Sequence, residues 1–585
     1  MTAYSAGSTK DIEVAETFVK ALGGLGVDYI FMNTGSDSVP VIENMAKLQA
    51  MGLKKPIDIL CPYEGIAVSM AEGYAMITGK PQLVFVHADV GTQSCGSALH
   101  NVLRDRVPLV LCAGITPAVI DSKVKGSRDI FVQWMQDTPD QSLILRDYVK
   151  WFYQVRNAEH LPYALVRAFQ TATATPEGPT YLMLPREVLM EKRASLETPS
   201  PVRYRPPSPP QADPEVLMRA ARALVEAEAP VIVTSYLGRR VSAVRPLMEL
   251  SELLAAAVVE PKRNRTNFFS THPNYQGRRL HDHLEKADVI LLVDVDAPWL
   301  PYGARRISVA KIREDAQIIQ IDTDPLKDRI PLWGFPADIS MTAESSLALS
   351  SLNSMIKQIL PSSYKERIAN SSAILKNEHE VQHQTLIQAA RKGESSKPID
   401  PSWLFYVLNK IKGEDSLIVD DSVSNSGLSQ DYVDTTLPGT YFGVGGSSMG
   451  WGLPAALGAK LACNDKTVIA ITGDGSFTFA NPVAGLWVAK RYGISVLTVI
   501  LNNQGYAAVK SNLLGAYPEG SSKVNNKYIG IEFEEPPDYA AIAQACGVAG
   551  ITAEDPESLE EILSHGLDQV SKGKSVVVDV RLKSL

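Results

Sequence analysis

Residues Thr467–Ala480, "TVIAITGDGSFTFA", run an apolar, β-branched stretch into a carboxylate with a glycine on either side, Gly473-Asp474-Gly475. The pattern predicts a buried strand ending near Gly473 with a helix soon after, the position at which open parallel sheets bind ligands. Glycines there let a ligand approach the backbone and leave amide N–H groups free to cradle phosphate. A carboxylate among phosphate-binding amides makes sense when a cation lies between them. The stretch therefore predicts a metal-bridged phosphate ester, with Mg²⁺ the best fit because it takes one or two protein oxygens and fills its octahedron with phosphate oxygens and water. An ordinary Asp-Gly turn is the alternative.

The next apolar run, "ISVLTVILNN" (494–503), ends in Asn502-Asn503. The segment from Ser476 to Leu501 holds one helix and one strand, and a crossover of that size sets the asparagines beside Asp474 on the adjacent parallel strand. Similar runs recur along the chain. "VDYIFM", "LVFVH" and "PLVLCAG" read as strands in the first third, with "EGIAVSMAEGYAMITG" a helix between them. "PVIVTS", "ADVILLVDVD" and "AQIIQID" are strands in the middle, and "SLIVDD" and "SVVVDVRL" join the two already named near the end, with "PVAGLWVAKRYG" a helix. Strands alternating with helices argue parallel sheets and crossover helices. Two breaks divide them: the proline-rich "REVLMEKRASLETPSPVRYRPPSPPQADP" (186–214), read as a linker, and "RKGESSKPIDP" (391–401), which follows a polar, helical-looking stretch from Ser362 to Ala390. The expectation is an α/β chain of three doubly wound parallel-sheet domains, at 8–188, 212–360 and 396–582.

Composition agrees. The chain has 585 residues, 45% hydrophobic and 21% charged, with a net charge of -8 from signs scattered along its length. Nucleic acid and anionic membrane surfaces are thereby poor partners. Five widely spaced cysteines without a C-x-x-C pair indicate neither a disulfide framework nor a zinc site. The N-terminus lacks a basic-then-apolar leader, no run approaches a membrane span, and Lys583-Ser584-Leu585 holds the letters of a peroxisomal tripeptide in the wrong order. A cytoplasmic location is expected.

Gly-Asp-Gly followed at this distance by Asn-Asn resembles the motif of enzymes that bind thiamine diphosphate, and the likeness spans nearly the whole chain. The resemblance implies that the three domains are pyrimidine-binding, central and diphosphate-binding, and that Asp474, Asn503 and the carbonyl of Gly505 are Mg²⁺ ligands. It implies that Gly473, Gly475 and Ser476 line the diphosphate, with Ser424 of "DDSVSNSG" a weaker candidate for the same task. "GVGGSSMGWGLPAALGAKLA" resembles the segment that bends the cofactor, which makes Met449 the apolar wedge and the Ser447 carbonyl the acceptor for the exocyclic amine. Met449 alone reads as core filler. The cofactor's aminopyrimidine needs an acid that shares a proton with its ring nitrogen, and that acid should be desolvated so the proton persists near neutral pH. "LCPYEGIAVSM" supplies Glu64 at a strand–helix junction, with Tyr63 where the family often has His. A first-turn acid facing the helix dipole is its plain alternative. In the family this acid and the metal site meet across a subunit boundary, so a homodimer or homotetramer is implied.

The reaction is read from "LVFVHADVGTQSCGSALHNVLRDRVP". Acetolactate synthases usually carry Ser-Gly-Pro-Gly there, whereas His87 with Gly91-Thr92 resembles benzoylformate decarboxylases. Ser36 of "FMNTGSDSVP" resembles the serine that holds the substrate carboxylate, and His272 of "STHPNYQG" resembles a second histidine. The imidazoles would relay protons, a task suited to a side chain that titrates near working pH. A turn serine and, for His87, a satisfied histidine at a strand end are the plain readings, and the His-Pro of His272 also occurs in the family's synthases. The expected substrate is a small 2-oxo acid, with an aldehyde acceptor if the enzyme ligates. Lys510, Lys523 and Lys527 depart from the decarboxylase pattern and either meet an extra anionic group on the substrate or form a solvated basic loop. The central domain resembles the family's own, including relatives that hold FAD, but lacks an Arg-Phe-Asp-Asp-Arg-like stretch, so FAD is not expected. The alternatives are an acetolactate synthase-like carboligase, a 2-hydroxyacyl lyase and a non-catalytic cofactor-binding scaffold.

Overall fold

The computed structural model describes residues 11–300 and 312–583. Residues 8–10 of the first expected domain, part of the central segment, and Ser584-Leu585 of the terminal tripeptide lie outside the described residues. Strands Tyr29–Met32 (β1), Ile57–Leu60 (β2), Gln82–Val86 (β3), Leu109–Ile115 (β4), Trp151–Gln154 (β5) and Pro179–Pro185 (β6) form one sheet in the order β2-β1-β3-β4-β6-β5. Pro230–Thr234 (β7), Ala257–Val259 (β8), Val289–Val293 (β9), Gln317–Asp322 (β10) and Ile339–Thr342 (β11) form a second, in the order β8-β7-β9-β10-β11. Leu417–Asp421 (β12), Tyr441–Gly443 (β13), Val468–Gly473 (β14), Leu497–Asn502 (β15), Ala549–Ala553 (β16) and Val576–Arg581 (β17) form the third, in the order β13-β12-β14-β15-β17-β16. Every pairing within the three sheets is parallel.

Continuous apolar runs give these strands because both faces are covered. In β7, Ile232 packs in one core cluster while Val231 and Val233 pack in another on the opposite face. Every residue of β3 is buried. The chain is therefore three doubly wound α/β domains, as its patterning predicts. The helices used below are Glu64–Thr78 (α1), Gly96–Arg104 (α2), Lys365–Lys392 (α3), Gly452–Ala462 (α4), Asp474–Phe479 (α5) and Ala507–Ala516 (α6). The polar stretch after Ser362 is α3, whose buried residues are only Leu375 and Ala390. Among the described residues no helix is long and apolar enough to cross a membrane.

The proline-rich stretch from 186 is not wholly a linker. Arg186–Leu189 makes a helical turn, and Lys192–Arg193 pairs antiparallel with Ile12–Glu13. A two-residue ribbon carries no periodicity, so no pattern in the sequence announces it.

By contact, the chain divides into two compact units. One holds residues up to 207 together with 445–464 and 480–492, and the other holds 208–444, 465–479 and 493–585. Within the first, α4 crosses α1 with backbones touching. A Cβ on Gly73 would stand 2.0 Å from the Ala455 carbonyl oxygen, and one on Gly458 would stand 1.9 Å from that of Met70. Real Cβ atoms do not come so close, so both positions require glycine. Trp451, fully buried, closes the crossing by donating its indole N–H to Glu72 Oε2 at 2.8 Å.

Candidate active site

In the first unit, three neighbouring strands deliver chemistry at their carboxyl ends, where open sheets bind ligands. Asn33 follows β1, Glu64 follows β2 and His87 follows β3. Glu64 is the first residue of α1, 8% exposed, and Asn33 Nδ2 donates to its Oε1 at 2.9 Å. A Cβ on Gly91 would lie 3.1 Å from the same oxygen, so the helical turn after His87 roofs the carboxyl. Burial, then the Glu64 charge, pushes the Tyr63 hydroxyl up from its ordinary range.

The His87 ring stands between two side chains. Its Nδ1 meets Asp37 Oδ1 in a short contact, and its Nε2 meets Gln136 Oε1 at 3.1 Å. Ser36 is half-buried in the turn before Asp37, which Ser38 closes by accepting from the Gly35 N–H at 2.9 Å and donating to the Gly35 carbonyl at 2.6 Å. Glu64, Ser36 and His87 are thus brought to one edge of one sheet.

The same unit holds the turn 445–449. Asp105 Oδ2 accepts from the Gly445 N–H at 3.0 Å, and His100 Nε2 donates to the Gly446 carbonyl at 2.8 Å. Asn101 takes both backbone groups of Ser448, its Oδ1 accepting at 3.0 Å and its Nδ2 donating at 2.9 Å. Between these clamps Ser447 adopts φ +64°, a left-handed conformation uncommon outside glycine, and Met449 is half-buried. A Cβ on Gly446 would lie 2.5 Å from Asn101 Oδ1, so the turn fits α2 only as glycine. The sequence reading missed His100, Asn101 and Asp105. Their spacing along "LHNVLRD" was the available signal, since Asn101 and Asp105, four residues apart at the end of a short helix, share one of its faces. If this turn shapes the cofactor, Asn101→Ala lowers thiamine diphosphate affinity by up to about 30-fold by freeing two backbone hydrogen bonds worth ~1 kcal/mol each. Titration calorimetry on the variant checks this.

In the second unit, β14 ends at Gly473 opposite Leu501 of β15, and Asp474 begins α5. Asp474 Oδ1 accepts from the Gly475 N–H at 2.8 Å and Oδ2 from the Gly505 N–H at 3.0 Å. Burial nevertheless pushes its carboxyl up to about 6, against the pull of these amides. A buried carboxylate so disfavoured is one that gains most from a cation. The two asparagines differ in the use of their side chains. Asn502 spends its Nδ2 on Asp579 Oδ1 at 2.9 Å, whereas Asn503 Oδ1 is buried without a hydrogen-bond partner. That orphaned oxygen beside Asp474 is what a hard cation would take, so the donor set fits Mg²⁺. Among the described residues no group of three or more His, Cys, Asp or Glu side chains is gathered for a metal. The Gly505 carbonyl accepts from the Ala507 N–H at 3.0 Å and keeps a second lone pair. A Cβ on Gly505 would stand 2.5 Å from the Ile531 carbonyl oxygen, and one on Gly475 would stand 2.8 Å from the Tyr506 ring. At Gly473, by contrast, a Cβ would meet open space.

Other expected residues sit as follows. Ser476 donates its hydroxyl hydrogen to Asp421 Oδ2 at 2.5 Å, so a diphosphate would need that hydrogen redirected. Ser424 is exposed in the short turn Val423–Asn425 after β12. His272 lies in the central domain, its Nε2 on Glu252 Oε1 at 3.1 Å and its Nδ1 accepting from the Asn274 N–H at 3.1 Å. Lys510 is 9% exposed rather than solvated; its ammonium is 3.0 Å from Glu532 Oε1 and 4.2 Å from the Tyr528 ring centroid. Lys523 donates to the Pro518 carbonyl at 2.7 Å, and Lys527 is exposed.

Family models described as the N-terminal TPP binding domain, central domain and C-terminal TPP binding domain of thiamine pyrophosphate enzymes match residues 12–144, 217–349 and 422–580. The chain belongs to the thiamine diphosphate-dependent enzymes. It is 27% identical to a benzoylformate decarboxylase of Pseudomonas aeruginosa over 96% of this chain and 97% of that one. It is also 27% identical to the large subunit of acetolactate synthase isozyme 3 of Escherichia coli, over 97% and 94%. A thiamine diphosphate-dependent 4-hydroxybenzoylformate decarboxylase of Rhodococcus jostii shares the fold, with a TM-score of 0.76 at 24% identity across 98% of this chain and 100% of that chain.

Proposed function

We propose that the protein is a cytoplasmic, Mg²⁺- and thiamine diphosphate-dependent 2-oxo acid decarboxylase with carboligase capacity, working as a homodimer or homotetramer. In this reading residues 8–188 bind the aminopyrimidine and 396–582 the diphosphate, with 212–360 between them. The observation that carries it is the placing of His87 beside Glu64 and the Ser36 turn at one sheet edge, together with full-length similarity to a benzoylformate decarboxylase.

Thiamine diphosphate, when bound, supplies the nucleophile and the electron sink that let a 2-oxo acid lose CO₂. Asp474, Asn503 and the Gly505 carbonyl would hold the Mg²⁺ that carries the diphosphate. Ser447 and Met449, fixed by α2, would orient the aminopyrimidine. Glu64 would hold a proton at the pyrimidine ring nitrogen, kept from water by Asn33 and the roof at Gly91. Ser36 would bind the substrate carboxylate, and His87 would give a proton to the product. No flavin enters this reading.

The Escherichia coli synthase, equally identical, favours a second reading as a carboligase that joins two 2-oxo acids. Supplying Mg²⁺, thiamine diphosphate and a panel of aliphatic and aromatic 2-oxo acids separates the two. CO₂ with an aldehyde product is the expected result, while an acyloin acid product would indicate the synthase. Cofactor binding with no CO₂ from any acid would remove both readings and leave a lyase of another substrate class or a scaffold.

A further inference from the structure

We propose that Asp37 is a positioning residue that holds His87 as a doubly protonated imidazolium, so that His87 acts as a cationic proton donor and not as a base. Both ring nitrogens face oxygen acceptors, Nδ1 the Asp37 carboxylate and Nε2 the Gln136 amide oxygen at 3.1 Å. A neutral imidazole carries one N–H and would present a lone pair to one of those oxygens; the imidazolium satisfies both.

Asp37 is 4% exposed and is itself fixed, since its Oδ2 accepts from the Ala88 N–H at 3.1 Å. The surroundings leave room for this pair and little else. A Cβ on Gly35 would stand 2.0 Å from His87 Nδ1, and one on Gly114 would stand 1.6 Å from Asp37 Oδ2. The two glycines come from the ends of β1 and β4, on either side of the strand that delivers His87. Asp37 favours the cation most, the hydrogen bond to the uncharged Gln136 and the Asp89 charge add to it more weakly, and burial opposes them. The net effect raises His87 above its ordinary titration range, chiefly through the Asp37 hydrogen bond.

This rests on the 2-oxo acid reading in one respect: a half-buried cation is complementary to a carboxylate substrate and can pass its Nε2 proton to a developing anion once that N–H turns from the neutral Gln136 amide, the Nδ1 proton staying on Asp37. It also implies an order of events. The ring must deliver its proton before it can accept one, so the solvent must reprotonate it between turnovers.

The test has two arms. Labelling the histidine rings with ¹³C and using His87→Gln to assign the resonance gives the titration of His87 directly, without turnover. The expected midpoint lies above the ordinary value of about 6.5 and falls by at least about one unit in Asp37→Asn. Turnover of the accepted 2-oxo acid supplies the second arm. The KM of Asp37→Asn should rise about tenfold at pH 7.5 and return toward that of the unmodified enzyme at pH 5.5, where the unassisted ring recovers its proton. A midpoint at or below 6.5 in the unmodified protein, or a variant whose loss is equal at both pH values, overturns the proposal. A raised midpoint in a protein that decarboxylates nothing would sustain the pair and overturn the functional reading instead. Should Asp37→Asn fail to fold, the midpoint of the unmodified protein alone decides.

Discussion

Turnover falls about a thousandfold in Glu64→Gln, within the range that a positioned proton-transfer group contributes. Glutamine matches the length of Glu64 and can still accept from Asn33 Nδ2, so the fold and the 2.9 Å contact are retained. What it lacks is a proton that can be shared with a ring nitrogen. Cofactor affinity should therefore change less than about fivefold, because a neutral hydrogen-bonding side chain remains and ~1 kcal/mol or less is at stake. Exchange of the cofactor's acidic ring proton with deuterated solvent, followed by quenched-flow NMR, should slow in parallel with turnover. If exchange stays fast while turnover collapses, Glu64 serves a later step. If turnover survives, the carboxyl at this strand–helix junction is only a first-turn acid facing its helix dipole.

Asp474→Asn should lower the affinity for Mg²⁺ and thiamine diphosphate by more than about 100-fold, since losing even an outer-shell partner of a metal costs 10- to 100-fold. The change removes a negative charge and sets an amide NH₂ against one of the two N–H groups, of Gly475 and Gly505, that Asp474 now accepts. The metal-free protein should not share this loss. Burial raises the Asp474 carboxyl from 3.8 to about 6, so the folded chain holds this proton more tightly than the unfolded chain. Stability of the metal-free protein accordingly falls as pH rises from about 4 to 6, by up to about 3 kcal/mol from this group. Above pH 6 the metal-free asparagine variant should be as stable as the unmodified protein, while with saturating Mg²⁺ and cofactor the unmodified protein should melt well above it. Thermal unfolding at pH 5 and pH 7.5, with and without both ligands, checks all four corners. A variant that binds Mg²⁺ and cofactor as tightly as before would exclude Asp474 as a ligand.

The three sheets were legible because their strands are buried on both faces and so read as unbroken apolar runs. The Asp474–Asn503 neighbourhood was legible because a single crossover between parallel strands leaves little choice of partner for β14. Less could be seen where function depends on backbone contact between distant segments. Asp37 stands one residue after Ser36 in a stretch that reads as a turn, and its importance rests on absent side chains at Gly35 and Gly114, which only the folded sheet brings together. The division of labour between Asn502 and Asn503 is likewise invisible in two identical letters; it follows from Asp579 on β17, the strand next to β15. The chain ribbon at Lys192–Arg193 is too short to leave a pattern at all.

The glycine crossing of α1 and α4 bears on how this chain can vary. Met70 and Gly73 lie near one end of the sequence, Ala455 and Gly458 near the other, and the tolerance between them is less than the size of a methyl group. The two helices must therefore be inherited as a matched pair, although most of the chain separates them. Recombination that exchanges the last domain with that of a relative will succeed only when α1 travels with α4.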